Sequence, residues 1–127
     1  MEPLSSKVET AMHESLDPSS LLQVLRDFIV DLVKYDDPDL TARQLSIFLF
    51  SYLAQEPQTV RALASRIRVS KPSITRSIDR LEELGLVHRL PDPSDRRSVL
   101  IGHTTAGITR FRAMRDALPK KVERVRD

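Results

Sequence analysis

The chain has no cysteine and no tryptophan, and only three glycines among its 127 residues. Without a thiol it forms no disulfide, holds no Cys-ligated zinc or iron–sulfur cluster, and runs no thiol nucleophile or redox switch. Three scattered glycines supply no Gly-rich loop to cradle a phosphate. Long apolar runs are missing too: the longest uncharged stretch, residues 44–55, is too short to cross a bilayer, and the first sixteen residues carry acids instead of an apolar signal core. The expectation is a soluble, cytoplasmic protein with no membrane partner. What is present, 40% hydrophobic and 30% charged residues, suffices for a real core in a single domain spanning residues 1–127.

The net charge of +2 hides a division. Residues 1–58 hold 4 Lys/Arg against 10 Asp/Glu, a balance of −6, while residues 59–127 hold 16 against 8, a balance of +8. An acidic half joined to a basic half points the basic end toward a polyanion.

Hydrophobic periodicity is helical through most of the chain. Ser6 to Glu9 fits a capping box, with Leu4, Val8, Ala11 and Met12 as a short stripe. Asp17-Pro18 opens a longer helix with a wide apolar face through Leu21, Leu25, Phe28 and Leu32, flanked by Leu22, Ile29 and Val33. Residues 35–39 break it. A second capping box at Thr41 and Gln44 starts a segment ending near Ala54 whose apolar residues cover nearly the whole circumference, the pattern of a central helix buried all round. Thr59 then caps a helix carrying Val60, Leu63, Ala64 and Ile67, and Ser70 caps another that buries Ile74, Ile78, Leu81 and Leu84 and stops at Gly85. Two short helices joined by three or four residues make a helix-turn-helix. Residues 86–90 and 98–101 read as strands of a hairpin whose polar tip, residues 91–97, carries Arg96 and Arg97. Thr104 caps a last helix that Pro119 kinks or divides, ahead of a solvated basic face of Lys120, Lys121, Arg124 and Arg126. The fold class is mostly α: a winged helix-turn-helix, with a three-helix core and a β-hairpin wing, flanked by N- and C-terminal helices.

Chemistry concentrates on the second short helix and the hairpin tip. With Ile74, Ile78 and Leu81 inward, Pro72, Ser73, Thr75, Arg76, Asp79 and Arg80 lie on the outer side. Small hydroxyls and arginines at a helix N-terminus suit major-groove reading: little bulk at entry, donors for base edges, and amides for phosphates. Ser70 and Lys71 stand at the phosphate-binding end, and Arg61, Arg66 and Arg68 read as phosphate neighbours or solvent residues. An arginine at the wing tip suits a narrow minor groove. The bland alternative makes the groove face an ordinary helix surface and pairs the tip arginines with Asp92 and Asp95.

The sequence resembles the MarR (multiple antibiotic resistance regulator) family of bacterial transcription factors. Leu63-Ala64, Ser73 to Arg76 continuing to Asp79-Arg80-Leu81, Gly85-Leu86-Val87, the wing Asp92 to Arg97, and Thr104-Thr105-Ala106-Gly107 carry the likeness. It covers residues 19–118 and is closest over 59–107. The resemblance implies a homodimer on double-stranded DNA, with residues 1–35 and 105–127 contributing dimerisation helices and residues 41–103 forming the winged DNA-binding region. It also implies one recognition helix per half-site, Arg97 at each wing tip, and release by a small phenolic or anionic effector. Three positions depart from the pattern. His103 replaces the usual leucine, and Ser70 stands where some members carry an acid that holds the wing arginine, so that Asp95 is expected to steady Arg97 instead. The stretch after Gly107 is short for the family.

Catalysis finds no motif, and no cofactor is expected: His13, His88 and His103 lack metal-ligand spacing, and Pro38 interrupts the acidic run Asp36, Asp37, Asp39 that would otherwise suggest a calcium loop. Phe28, Phe48 and Tyr52 read as core in place of a ligand cavity. The expected function is a sequence-specific DNA-binding repressor on a pseudo-palindrome. The alternative is a winged helix that docks an acidic protein and has no sequence preference on DNA.

Overall fold

The computed structural model describes residues 16–34 and 38–126. The short helix expected around Ser6 and most of the break at residues 35–37 lie outside them. The described residues form α1 (Pro18–Lys34), α2 (Ala42–Leu53), β1 (Gln58–Thr59), α3 (Val60–Ile67), α4 (Lys71–Glu83), β2 (Val87–Pro91), β3 (Val99–His103) and α5 (Thr105–Arg126). They group into two compact units, one of residues 40–112 and one of the flanking segments up to residue 39 and from residue 113.

In the larger unit, local signals start each helix. Thr41 and Gln44 close the expected capping box: Thr41 Oγ1 accepts from the Gln44 amide at 3.1 Å, and Gln44 Oε1 accepts from the Thr41 amide at 3.0 Å. Thr59 and Ser70 cap α3 and α4 in the same manner, accepting from the amides of Ala62 and Ser73. Caps of this kind contribute about 1 kcal/mol each. The turn between α3 and α4 is made by Arg68 in the left-handed region at φ 61°, its amide donating to the Ala64 carbonyl. Gly85, at φ +73°, ends α4 in a Schellman arrangement, with the Leu86 amide reaching the Leu81 carbonyl and the Gly85 amide reaching that of Glu82.

The core of this unit is Ile47, Phe48, Leu63, Ile74, Ile78, Leu81 and Ile101, all without solvent exposure. Each aliphatic side chain so buried contributes about 1.5–3 kcal/mol relative to exposure. The expectation that α2 is buried all round is corrected: it buries Ile47, Phe48, Ser51 and Tyr52, whereas Leu45, Leu49 and Phe50 are half-buried and Leu53 is 69% exposed. Within this unit α3, α4, the first turns of α5 and a small sheet pack against the face of α2 that carries these buried residues, and its apolar circumference is wider than that face.

The wing is a strand larger than the sequence suggests. Its three strands run antiparallel in the order β1-β3-β2, with Gln58 opposite Ile101, Thr59 opposite Leu100, and β2 paired to β3 from Val87–His103 to Pro91–Val99. The two residues of β1 are too few to show a period of two; Thr59 ends that strand and caps α3 at once.

Tyr52 ties the wing's root to the start of α5. Its hydroxyl donates to the Leu86 carbonyl at 2.6 Å and accepts from the Thr104 amide at 3.1 Å. Its ring stacks on His103 at 4.0 Å between centroids, and His103 Nε2 donates to the Ser51 carbonyl at 2.7 Å. His103 thus uses both a flat face and a donor, which the leucine expected at this position would not offer. Thr104 Oγ1 donates to the Gly85 carbonyl and accepts from the Gly107 amide.

In the smaller unit, Asp17 caps α1 by accepting from the Ser20 amide at 2.8 Å, which holds its carboxyl below the usual range. Val24 is buried, whereas Leu21, Leu22, Leu25, Ile29, Val30 and Val33 are exposed. Proline does not divide the last helix: Pro119 lies inside continuous α5, where it forfeits one backbone bond while Lys121 and Val122 beyond it are buried. Lys121 is also a correction to the expected solvated face. It is 8% exposed and forms an ion pair with Asp31 of α1, its stem packed and its charge neutralised, while Lys120, Arg124 and Arg126 remain exposed.

Candidate nucleic-acid interface

Helical geometry divides α4 into three stripes. Ile74, Ser77, Ile78 and Leu81 face the core. Ser73, Arg76 and Arg80, three and four residues apart, run along the outer side, and Thr75, Asp79 and Glu82 run along the side toward β2.

At the N-terminus of α4 the polar groups form a relay. Ser70 Oγ accepts from the Ser73 amide at 3.3 Å and donates to Ser73 Oγ at 2.9 Å, and Arg76 Nη2 donates to Ser73 Oγ at 3.3 Å. Ser70 and Ser73 are therefore engaged in capping and in aiming Arg76, whose side chain is exposed. Ser73 and Arg76 share a shallow hollow with Thr41, Arg43 and Gln44. Arg80 is held at 3.2 Å by Glu83 one turn on, an exposed pair.

Between α4 and the wing tip lies a cleft of about 620 Å³. It gathers Lys71, Thr75, Asp95 and Arg97 from the predicted set, together with Arg61 and Arg89. Arg96 and Arg97 are both exposed on the tip. Asp95 accepts from the Arg97 amide at 2.9 Å, so it shapes the turn that presents Arg97 and does not grip the guanidinium. Asp92 accepts from the Ser94 hydroxyl at 2.7 Å and amide at 3.0 Å, which hold its carboxyl below the usual range and fold the other half of the tip.

Sequence reasoning missed Arg89. Its amide and Nη1 donate to Glu82 at 2.9 and 2.7 Å, and its Nη2 donates to Asp79 at 2.5 Å and to the Thr75 carbonyl at 3.4 Å. The Arg89 amide, ahead of its guanidinium, holds the Glu82 carboxyl below the usual range. The available signal was the spacing of Thr75, Asp79 and Glu82, which lines up acceptors on one helix face beside a strand carrying a single arginine. Arg43 was also passed over; nothing near it in sequence marks it.

Fold and site together define a winged helix-turn-helix protein with a basic cleft between α4 and the wing. The MarR family model matches residues 40–99, just under half of the chain, and over that stretch the chain is similar to this family of transcriptional regulators. It is 35% identical over 86 residues to an HTH-type transcriptional regulator of Mycobacterium bovis, covering 67% of this chain and 60% of that protein. The chain thus spans about 60% of the length of the curated relatives it first matches. Among solved structures, the transcriptional regulator Tm0710 of Thermotoga maritima aligns with a TM-score of 0.67 and 25% identity, covering 83% of this chain and 74% of that one. The MepR–DNA complex of Staphylococcus aureus aligns at 0.59 and 23% identity, with 79% of each chain covered, a likeness of fold.

Proposed function

We propose that this protein is a sequence-specific double-stranded DNA-binding regulator, acting as a homodimeric repressor on a pseudo-palindromic operator. The observation that carries the reading is the shared cleft that sets Arg61, Lys71 and Thr75 beside the wing's Arg97, with Arg76 exposed on the neighbouring stripe of α4. A recognition helix in the major groove would direct Arg76, with Ser73 and Thr75, at base edges, and bring Ser70, Lys71 and the first amides of α4 to the phosphates. Arg96 and Arg97, on a tip folded by Asp92 and Asp95, would reach the adjacent minor groove. Arg80, already paired with Glu83, would contribute a backbone contact at most. The fold shared with MepR, a protein solved in complex with DNA, supports DNA binding by this fold.

The dimer finds support in α1, six of whose large apolar residues lie exposed on this chain. A run of that extent at helical spacing is the mark of an association surface. In this reading residues 1–35 and 105–127 supply the dimer helices, residues 41–103 supply the DNA-binding region, and the protein works in the cytoplasm. Release by a small phenolic or anionic effector rests on the family likeness. It requires unequal affinity for the DNA-competent and incompetent states.

The test is selection from random duplex DNA. Enrichment of a palindrome whose half-sites lie about 10 bp apart, or a small multiple of that, supports the reading. Failure to enrich any sequence refutes it and favours docking of an acidic protein on the basic half.

A further inference from the structure

The recognition helix and the wing are separate elements, and groove readout by both requires a fixed angle between them. Thr75, Asp79 and Glu82 stand four and three residues apart, so one face of α4 presents a carbonyl and two carboxylates to β2. Arg89 takes all three. Glu82 receives the Arg89 amide and its guanidinium together, which fixes the strand's backbone as well as its side chain. From Arg89 the linkage runs outward: Leu90 and Pro91 pair with Leu100 and Val99, Asp92 folds the first half of the tip, and Asp95 holds the Arg97 amide. Flanked by two acids, the Arg89 charge is neutralised within the protein and adds little to the field a phosphate meets. Its planar fork meets Glu82 and Asp79 with separate nitrogens, which a lysine ammonium cannot reproduce in that geometry.

We infer that Arg89 is a positioning residue for DNA readout: clamped by Glu82, Asp79 and the Thr75 carbonyl, it sets the wing's angle on α4 and so determines whether Arg97 reaches the minor groove. This rests on the DNA-binding reading above. Arg89 acts through Arg97, so the two positions are energetically coupled although the effect is read on DNA.

The experiment is a double-mutant cycle of Arg89→Met and Arg97→Ala on the duplex selected by the unmodified protein, with hydroxyl-radical footprints and thermal melts of each variant. Arg89→Met is expected to weaken binding about tenfold and to erase protection at the minor-groove positions beside each recognition helix, leaving major-groove contacts intact. Arg97→Ala should then cost nothing further in the Arg89→Met background. Arg89→Lys, which keeps the charge, should show the same coupling loss. Glu82→Gln retains an acceptor for the Arg89 amide and should give a smaller shift in the same direction, and it serves where Arg89→Met fails to fold. A purely stabilising clamp would lower the melting temperature yet leave the cost of Arg97→Ala and the wing footprint unchanged, and that result overturns the inference alone. An unmodified protein without sequence preference overturns the DNA-binding reading and this inference with it.

Discussion

Gly107→Ala should be among the most damaging single-methyl changes in this protein, because of one close approach. A Cβ at residue 107 would stand 1.7 Å from the Tyr52 hydroxyl, 2.5 Å from Tyr52 Cζ and 2.3 Å from the Leu86 carbonyl oxygen. Normal contact lies near 3.5 Å, so Tyr52 must move by well over 1 Å, and the Leu86 oxygen, being backbone, cannot yield without moving the start of β2. That displacement breaks the bonds from Tyr52 to the Leu86 carbonyl and from the Thr104 amide to Tyr52. Overpacking costs about 1–3 kcal/mol, and each buried partner left unpaired about 1–3 more. Alanine's better helix propensity returns roughly 1 kcal/mol, leaving a net loss of about 2–8 kcal/mol when both partners go unpaired, a large share of a typical domain's stability. Urea denaturation followed by circular dichroism, at fixed protein concentration, measures it. Gly102→Ala is the control, since the atoms nearest its added Cβ belong to the side chains of Leu90 and His88, which can shift where a backbone oxygen cannot; it should cost under about 1.5 kcal/mol. Because the shortest contact is with the hydroxyl, Tyr52→Phe should soften the effect of Gly107→Ala, giving a non-additive pair. A loss below about 1 kcal/mol for Gly107→Ala, or strict additivity with Tyr52→Phe, would refute the packing argument.

Leu25→Asp on the exposed face of α1 should convert a dimer to monomers in sedimentation analysis; an unchanged mass would remove α1 from the interface. Arg76→Ala should cost about 1–3 kcal/mol on the selected site and relax specificity at one base position, and equal discrimination by the variant would take Arg76 out of base reading. Arg61→Ala should weaken selected and scrambled duplexes alike and reduce the salt slope by about 1; a change confined to the selected duplex would mark Arg61 as a base reader. Because Arg89 depresses the folded-state pKa of Glu82 below its unfolded value, the pairing stabilises the fold above the ordinary carboxylate range and is lost as pH falls through the folded pKa. Stability followed from pH 7 downward should therefore decline less steeply in Glu82→Gln, and an identical acid limb would mean that the pairing does not contribute.

Much of the fold was legible because its signals are local. Thr41, Thr59, Ser70 and Thr104 each announce a helix start by a hydroxyl three residues before the amide it accepts from, and Gly85 announces a stop. What resisted reading depends on distant partners. β1 exists only because Gln58 and Thr59 meet β3 more than forty residues away. Lys121 and Asp31 are ninety residues apart, and nothing local separates a lysine that is buried and paired from the solvated ones beside it. The candidate site divides in the same way. Arg76 and Arg97 follow from helix and turn patterns, whereas Arg89 acquires its acceptors only when β2 lies along α4. The Thr-Thr-x-Gly stretch carries the family likeness as a pattern, and its physical reason emerges in three dimensions: Thr104 caps α5, and Gly107 leaves room for the Tyr52 hydroxyl.

The most direct test of the central claim is the affinity of the unmodified protein for its selected duplex and for a scrambled duplex of equal length and composition, at two salt concentrations. The account predicts a preference of about 10³ or more for the selected sequence at matched salt, with affinity for both falling steeply as salt rises. Equal, weak binding to the two duplexes would contradict it and leave a winged helix whose basic cleft serves some partner other than a specific DNA site.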